Sequence, residues 1–146
     1  MGLLALVALG LVGAVGQAVA PPMVDLPMRV VALTGDSPRE CGRLQIRDLA
    51  GKRVAAARGE LDAAVRCARQ AIREGKPFWT YVQRRGLDSW IAHGLLRTAG
   101  GDVRFFAYDS APCGGPSCQP TLSLEPCREP AVKAAADGDE PDFSCR

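Results

Sequence analysis

The chain has 146 residues, with 18 Lys and Arg against 16 Asp and Glu, and a formal net charge of +2 at pH 7. A near-neutral chain has no long-range field suited to a polyanion, so we do not expect nucleic acid as a partner. The abundance of Ala, Gly and Arg is typical of a GC-rich bacterial genome. About 125 residues beyond the first 20 suffice for one domain with a modest core.

The N-terminal segment is typical of a signal peptide. Residues 1–20 carry no charged side chain, and six cysteines follow, the first of them Cys41. An apolar leader ahead of a cysteine-bearing body indicates a chain that leaves the reducing cytosol. Ala18 and Ala20 fit the small-x-small cleavage pattern, but no Lys or Arg precedes the apolar block, so an uncleaved anchor is the alternative. We therefore expect a periplasmic or extracellular protein that touches a membrane only if this segment stays attached.

The residues between the leader and the first cysteine are rich in proline. Four prolines and a Gly-Asp-Ser run predict an extended or disordered lead-in over residues 21–40. A single small α+β domain is expected over 41–146. Its first element is a short half-buried strand, because Leu44 and Ile46 alternate with polar residues.

Residues 60–74 carry the clearest helical pattern in the chain. Apolar side chains recur at helical spacing, arginines and a glutamine fill the opposite side, and Gly75 supplies a C-terminal stop. Cys67 lies at the edge of the apolar stripe, which suits a disulfide to a neighbouring segment. The stripe consists of Leu61, Ala64, Val65, Ala68 and Ile72.

Three runs of strand-forming residues follow the helix, at 78–83, 90–97 and 103–108, with glycine-containing turns between them. We expect an antiparallel meander of three to four strands with the one amphipathic helix packed on it and disulfides stapling the whole. This arrangement belongs to the α+β class.

The turn between the second and third runs suggests a register. A two-residue glycine turn at 100–101 would place Leu96 opposite Phe105. The same register places His93 opposite Tyr108. One face of the strand pair is then apolar and is expected beneath the helix, and the other face is amphipathic. The apolar face carries Trp90, Ala92, Gly94, Leu96, Val103, Phe105 and Ala107.

The amphipathic face is the candidate binding surface. It combines charged groups with aromatic and aliphatic ones, the mixture found at interfaces and ligand sites. The alternative is an ordinary solvated sheet face, or one covered by the C-terminal segment. The candidate binding residues are His93, Arg97, Arg104, Phe106 and Tyr108.

The chain becomes irregular from about residue 111, where six prolines and two adjacent glycines leave little regular structure beyond an edge strand at 121–124. This segment has too few apolar residues to fold alone, yet it holds four of the six cysteines. Disulfides are therefore expected to fasten it to itself and to the sheet. The expected pairs are Cys41 with Cys67, Cys113 with Cys118 and Cys127 with Cys145, and exchange among the last four is the alternative.

The sequence predicts no metal site, cofactor or catalytic residue. The only close cysteine pair has four residues between its members and no histidine nearby, which fits neither zinc nor iron–sulfur spacing. His93 is the only histidine, and Ser89 lies roughly 13 Å from it along an extended strand. The acidic run at 137–142 does not have the spacing of a calcium loop and is expected to be a solvated tail.

These observations favour a binding or interaction module whose partner is an envelope or extracellular protein or ligand. A small exported enzyme is a competing hypothesis, with a site near His93 or at a carboxylate pair of Asp88 and Asp109. A structural envelope component held by an uncleaved leader is a third.

Overall fold

A six-stranded mixed sheet with one helix on each face forms the core of the protein. The computed structural model describes residues 25–49, 52–54, 58–115, 117–134 and 140–146. The predicted signal peptide and residues 137–139 of the acidic run lie outside these residues. The helices are α1, Asp25–Thr34, and α2, Arg58–Glu74. The strands are β1, Arg39–Leu49; β2, Lys52–Val54; β3, Phe78–Arg85; β4, Trp90–Arg97; β5, Val103–Asp109; β6, Thr121–Pro126; β7, Ala131–Ala134; and β8, Pro141–Ser144.

The strand order in the sheet is β2-β1-β3-β4-β5-β6, and β7 pairs with β8 in a separate hairpin. Strand β1 is parallel to β3, because α2 carries the chain back between them, whereas the other neighbours are antiparallel. The α+β class is confirmed. The expected meander is present as β3 to β6, and β1 and β2 extend it to more strands than predicted. Neither described helix is long and apolar enough to span a membrane.

Helix α2 is amphipathic as predicted and begins at Arg58 rather than Glu60. Gly75 follows its last residue with a φ of 65°, a conformation that glycine adopts without strain and that closes the helix. The buried side of α2 packs against apolar side chains of β1, β3 and β4, among them Leu44, Phe78, Val82 and Leu95. The buried residues of the helix are Leu61, Ala64, Val65, Ala68 and Ala71.

Residues 25–34 form α1, so the predicted extended lead-in is wrong over this stretch. Pro27 does not break the helix, because it lies in the first turn, where a backbone N–H has no partner within the helix. Leu26 and Val30 are fully buried and pack on Trp79 and Tyr81 of β3. This tertiary contact stabilises a helix in a segment whose prolines predict an extended conformation.

The register between β4 and β5 differs from the predicted one by one residue. Leu95, not Leu96, lies opposite Phe105, and His93 lies opposite Ala107. The loop spans residues 98–102, and its closure includes a hydrogen bond from the Thr98 N–H to the Asp102 carbonyl at 2.9 Å. A one-residue slip moves every side chain of one strand to the other face relative to its neighbour. The predicted faces are therefore wrong.

Each face of the sheet carries its own cluster of apolar side chains. On β4, α2 covers the face that carries Leu95, and α1 covers the face that carries Ala92 and Leu96. This is the reverse of the expected assignment, which placed α2 on Ala92, Gly94 and Leu96. Both faces of the central strands are consequently buried.

Three disulfides connect the outer elements, and their pairs are those expected from the sequence. Cys41–Cys67 joins β1 to α2, and Cys127–Cys145 joins the end of β6 to the end of the β7–β8 hairpin. Cys113–Cys118 closes a short surface loop. The hairpin packs Val132 and Phe143 against the α2 side of the sheet. The C-terminal segment thus has more regular structure than predicted, and the expected edge strand is part of β6.

Gly94 marks the closest approach of β4 to β3. A Cβ at this position would meet the Thr80 carbonyl oxygen and would lie 2.7 Å from Tyr81 Cβ. We expect Gly94→Ala to lower the free energy of unfolding by about 1–3 kcal/mol, because the buried strands must move apart. Gly59→Ala is the matched control: a Cβ there meets nothing within 4 Å, and alanine favours the helix by up to about 1 kcal/mol. Urea unfolding of both variants measures the difference, and equal stability of Gly94→Ala and the parent would contradict this close approach.

Candidate functional site

The five predicted binding residues do not form one surface. His93 and Arg97 lie on the α2 side of β4 and Phe106 and Tyr108 on the α1 side of β5, because the register is shifted by one residue. Phe106 and Tyr108 are at most 1% exposed. The open amphipathic face expected from the sequence is therefore absent from the described residues.

His93 lies beneath the C-terminal hairpin. Its side of the sheet is therefore covered by the C-terminal segment, which was the alternative to an open binding face. Its ring centroid is 5.8 Å from that of Phe143 and 6.3 Å from that of Phe105. Burial lowers the pKa of His93, and the charge of Arg84 adds to this, whereas the charge of Glu140 acts in the opposite direction. The imidazole is thus packed among aromatic side chains.

The residues considered for an enzyme site have structural partners. The Ser110 hydroxyl accepts a hydrogen bond from the Trp90 N–H at 2.8 Å, at the end of β4 away from Arg97. The Asp109 carboxylate accepts one from the Ala111 N–H at 2.9 Å. Asp109 lies opposite Ile91, two residues from His93 along β4. Among the residues that the structure describes, no three His, Cys, Asp or Glu side chains could together hold a metal ion.

Two of the predicted residues, Arg97 and Arg104, do line one cavity at the end of the sheet. This arginine cleft has a volume of about 460 Å³ and lies where the β4–β5 loop, the last turns of α2 and residues 126–130 meet. Its charged residues are three arginines and one carboxylate. The lining consists of Ile72, Arg97, Gly101, Asp102, Val103, Arg104, Pro126, Cys127, Arg128 and Pro130.

Arg97 is the least satisfied cation of the cleft. Its Nε atom is buried and has no hydrogen-bond partner among the described residues. The guanidinium lies between two glycines: a Cβ at Gly75 or at Gly101 would be 3.6 or 3.5 Å from Arg97 Nη2. A buried donor without a partner costs stability and is rare in folded proteins.

The one carboxylate in the cleft neutralises little of its charge. Asp102 Oδ2 lies 3.5 Å from Arg104 Nη2, and the Asp102 side chain is 69% exposed. Solvent screens an ion pair of this kind, which contributes at most about 1 kcal/mol. Arg128, on the opposite wall, is exposed. The cleft therefore keeps a positive potential.

The walls of the cleft are held by backbone and covalent contacts. The Asp102 N–H donates to the Thr98 hydroxyl at 3.1 Å, and the Gly101 N–H donates to the Thr98 carbonyl at 3.0 Å. On the other wall, the Cys127 N–H donates to the Val103 carbonyl at 2.9 Å, and the disulfide to Cys145 anchors the same residue. A rigid frame of this kind presents charged groups at low entropic cost to binding.

Two arginines of the cleft, Arg97 and Arg104, are among the binding residues predicted from the sequence, whereas Arg128 is not. Arg128 follows β6 in an irregular segment, and only the path of the chain after Cys127 brings it near the β4–β5 loop. No periodicity in the sequence indicates that path. Comparisons with protein-family models, curated proteins and solved structures yield no match.

His93 predicts a pH dependence of stability. Its pKa in the folded protein is below the ordinary value of 6.5, so the unfolded chain binds more protons when the pH falls through that value. The free energy of unfolding should therefore decrease as the pH is lowered from about 7.5 to 5.5. His93→Gln should flatten this decrease, since glutamine does not titrate. Urea unfolding across this interval tests the prediction, and identical pH profiles of parent and variant would contradict it.

Proposed function

We propose that this protein is an exported binding module that holds an anionic group in the arginine cleft. The observation that carries the proposal is the lining of one cavity by three arginines, Arg97, Arg104 and Arg128, against the single carboxylate of Asp102 among the described residues. The sequence predicted a binding surface on one face of the sheet. Because helices cover both faces, we propose that the binding site lies at the end of the sheet instead.

The chemistry of the guanidinium group suggests which anion fits. Arginine offers donors in a planar fork that matches a carboxylate or a phosphate with two parallel hydrogen bonds. Such a ligand in the cleft would be attracted by the guanidinium groups of Arg97, Arg104 and Arg128, which line it. Hydrogen bonds to charged groups are worth about 1.5–3 kcal/mol each. The proposed ligand therefore carries a carboxylate or phosphate group.

Three disulfides are consistent with an oxidising compartment. We further propose that the protein is secreted through the signal peptide at 1–20 and acts in the bacterial periplasm or outside the cell. The apolar, uncharged leader supports this proposal. In that setting the ligand or partner belongs to the envelope or the medium.

Binding of a small anion tests the role of Arg97. Inorganic phosphate and acetate, titrated at low ionic strength and followed by NMR or calorimetry, should bind the parent protein. Arg97→Gln should weaken binding by about tenfold or more, because it removes both the charge and the fork. Arg97→Lys should lie between the two, since it keeps the charge alone. Arg85→Gln is the matched control, because Arg85 is exposed and lies at the opposite end of β3. Unchanged affinity in Arg97→Gln would refute this site.

The mass of the mature protein tests export. In a host with a secretory pathway, we expect a product that begins after Ala18 or Ala20 and lacks two hydrogens for each disulfide. The full-length mass in the membrane fraction would support the anchored alternative. A full-length cytosolic protein with six alkylatable cysteines would contradict export.

A further inference from the structure

A second cleft continues the arginine cleft along α2. Its volume is about 250 Å³, it lies between α2 and β7, and it shares Ile72 and Pro130 with the first. Its other lining residues are Arg69, Arg73, Ala131, Val132 and Lys133. The two cavities adjoin at these shared residues and are together named the basic groove here.

Among the residues that the structure describes, the lining of the second cleft adds three cations and no carboxylate. Arg69 has a structural task, since its Nε donates a hydrogen bond to the Val132 carbonyl at 2.7 Å and ties α2 to β7. Arg73 and Lys133 are exposed and form no ion pair among the described residues. Together with the arginine cleft, the described lining of the groove presents six basic side chains and one carboxylate, that of Asp102. The concentration of charge favours a ligand with several negative groups.

The uncharged lining of the groove indicates which class of polyanion it can bind. It is aliphatic or proline, with Ile72, Val103, Pro126, Pro130 and Val132, and the described residues that line the two clefts include no aromatic side chain. Binding of single-stranded nucleic acid relies on aromatic side chains on which the bases stack. A peptide needs no such platform, because its aliphatic side chains contact aliphatic walls and its carboxylates pair with guanidinium groups.

We propose that the basic groove binds an extended acidic segment of a partner protein. One carboxylate of the segment occupies the arginine cleft at Arg97, and further carboxylates lie along Arg73 and Lys133. The inference rests on the proposed function, since it uses the same anion position, and adds the class of ligand and a second set of contacts.

The test compares a single anion with an acidic peptide on the mature, oxidised protein. The probes are inorganic phosphate, a glutamate-rich peptide of about eight residues, which spans roughly 25 Å when extended, and a glutamine peptide of the same length. The glutamate peptide should bind at least about tenfold more tightly than phosphate. The glutamine peptide should not bind measurably, because it lacks the carboxylates.

Two sets of variants separate the inference from the proposed function. The double variant Arg73→Gln, Lys133→Gln should lower the affinity for the glutamate peptide about fivefold and leave the affinity for phosphate unchanged. The effect is modest because an ion pair between a peptide carboxylate and an exposed Arg73 or Lys133 contributes little. Arg97→Gln should lower the affinity for both the peptide and phosphate. Arg85→Gln remains the control, and circular dichroism checks that each variant is folded.

Three other outcomes would each refute a specific part of the proposals. If phosphate binds through Arg97 but the Arg73 and Lys133 variant keeps full peptide affinity, the extended groove is wrong and the anion site stands. If Arg97→Gln affects neither probe, both proposals fail. If single-stranded DNA of equal charge displaces the peptide at lower concentration than the peptide itself, the ligand class is wrong.

Discussion

The burial of β4 on both faces is the constraint on which the rest of the structure depends. Leu95 points toward α2, Ala92 and Leu96 point toward α1, and all three are at most 1% exposed. A strand enclosed in this way tolerates only one register, because a slip would place every side chain in the wrong cluster. Gly94 adds a steric condition, since β3 leaves no room for a side chain there. The register in turn determines that Arg97 ends its strand beside the glycines of the α2 cap and the β4–β5 loop.

The outer elements depend on this sheet and on covalent links to it. The β7–β8 hairpin buries Val132 and Phe143 but is too small to be stable alone. The Cys127–Cys145 disulfide and the hydrogen bond from Arg69 hold it against α2. These contacts are what place residues 126–130 opposite the β4–β5 loop. The candidate site is thus built between a fixed sheet end and a segment that is fastened onto it.

Much of the fold could be predicted from local patterns, and the misses have physical causes. The periodicity of α2 and the spacing of the cysteines were sufficient, because each reflects a strong local signal. Helix α1 was missed because its prolines suggest a break, whereas the burial of Leu26 and Val30 on Trp79 comes only from the tertiary structure. The register was missed because the glycines at 100–101 suggest a two-residue turn, although the chain uses a longer loop.

The candidate site was the hardest feature to predict. Arg97 and Arg104 were recognised, but with Phe106 and Tyr108 as wrong companions, because one misplaced pair exchanges the faces of a whole strand. Arg128 comes to the cleft through an irregular segment, for which composition offers no guide. The net charge of +2 also gives no indication of the site, since a sum over the chain does not show that six basic side chains line two adjoining clefts.

The position of the Cys127–Cys145 bridge has a consequence for the timing of maturation. The wall that carries Arg128 and Pro130 lies between the two cysteines of this bridge, which are 18 positions apart in the sequence. A precursor kept reduced before translocation would lack this link and hence the assembled cavity. If the protein is exported as proposed, the anion binding proposed for this cavity would arise only after the bridge has formed on the far side of the membrane.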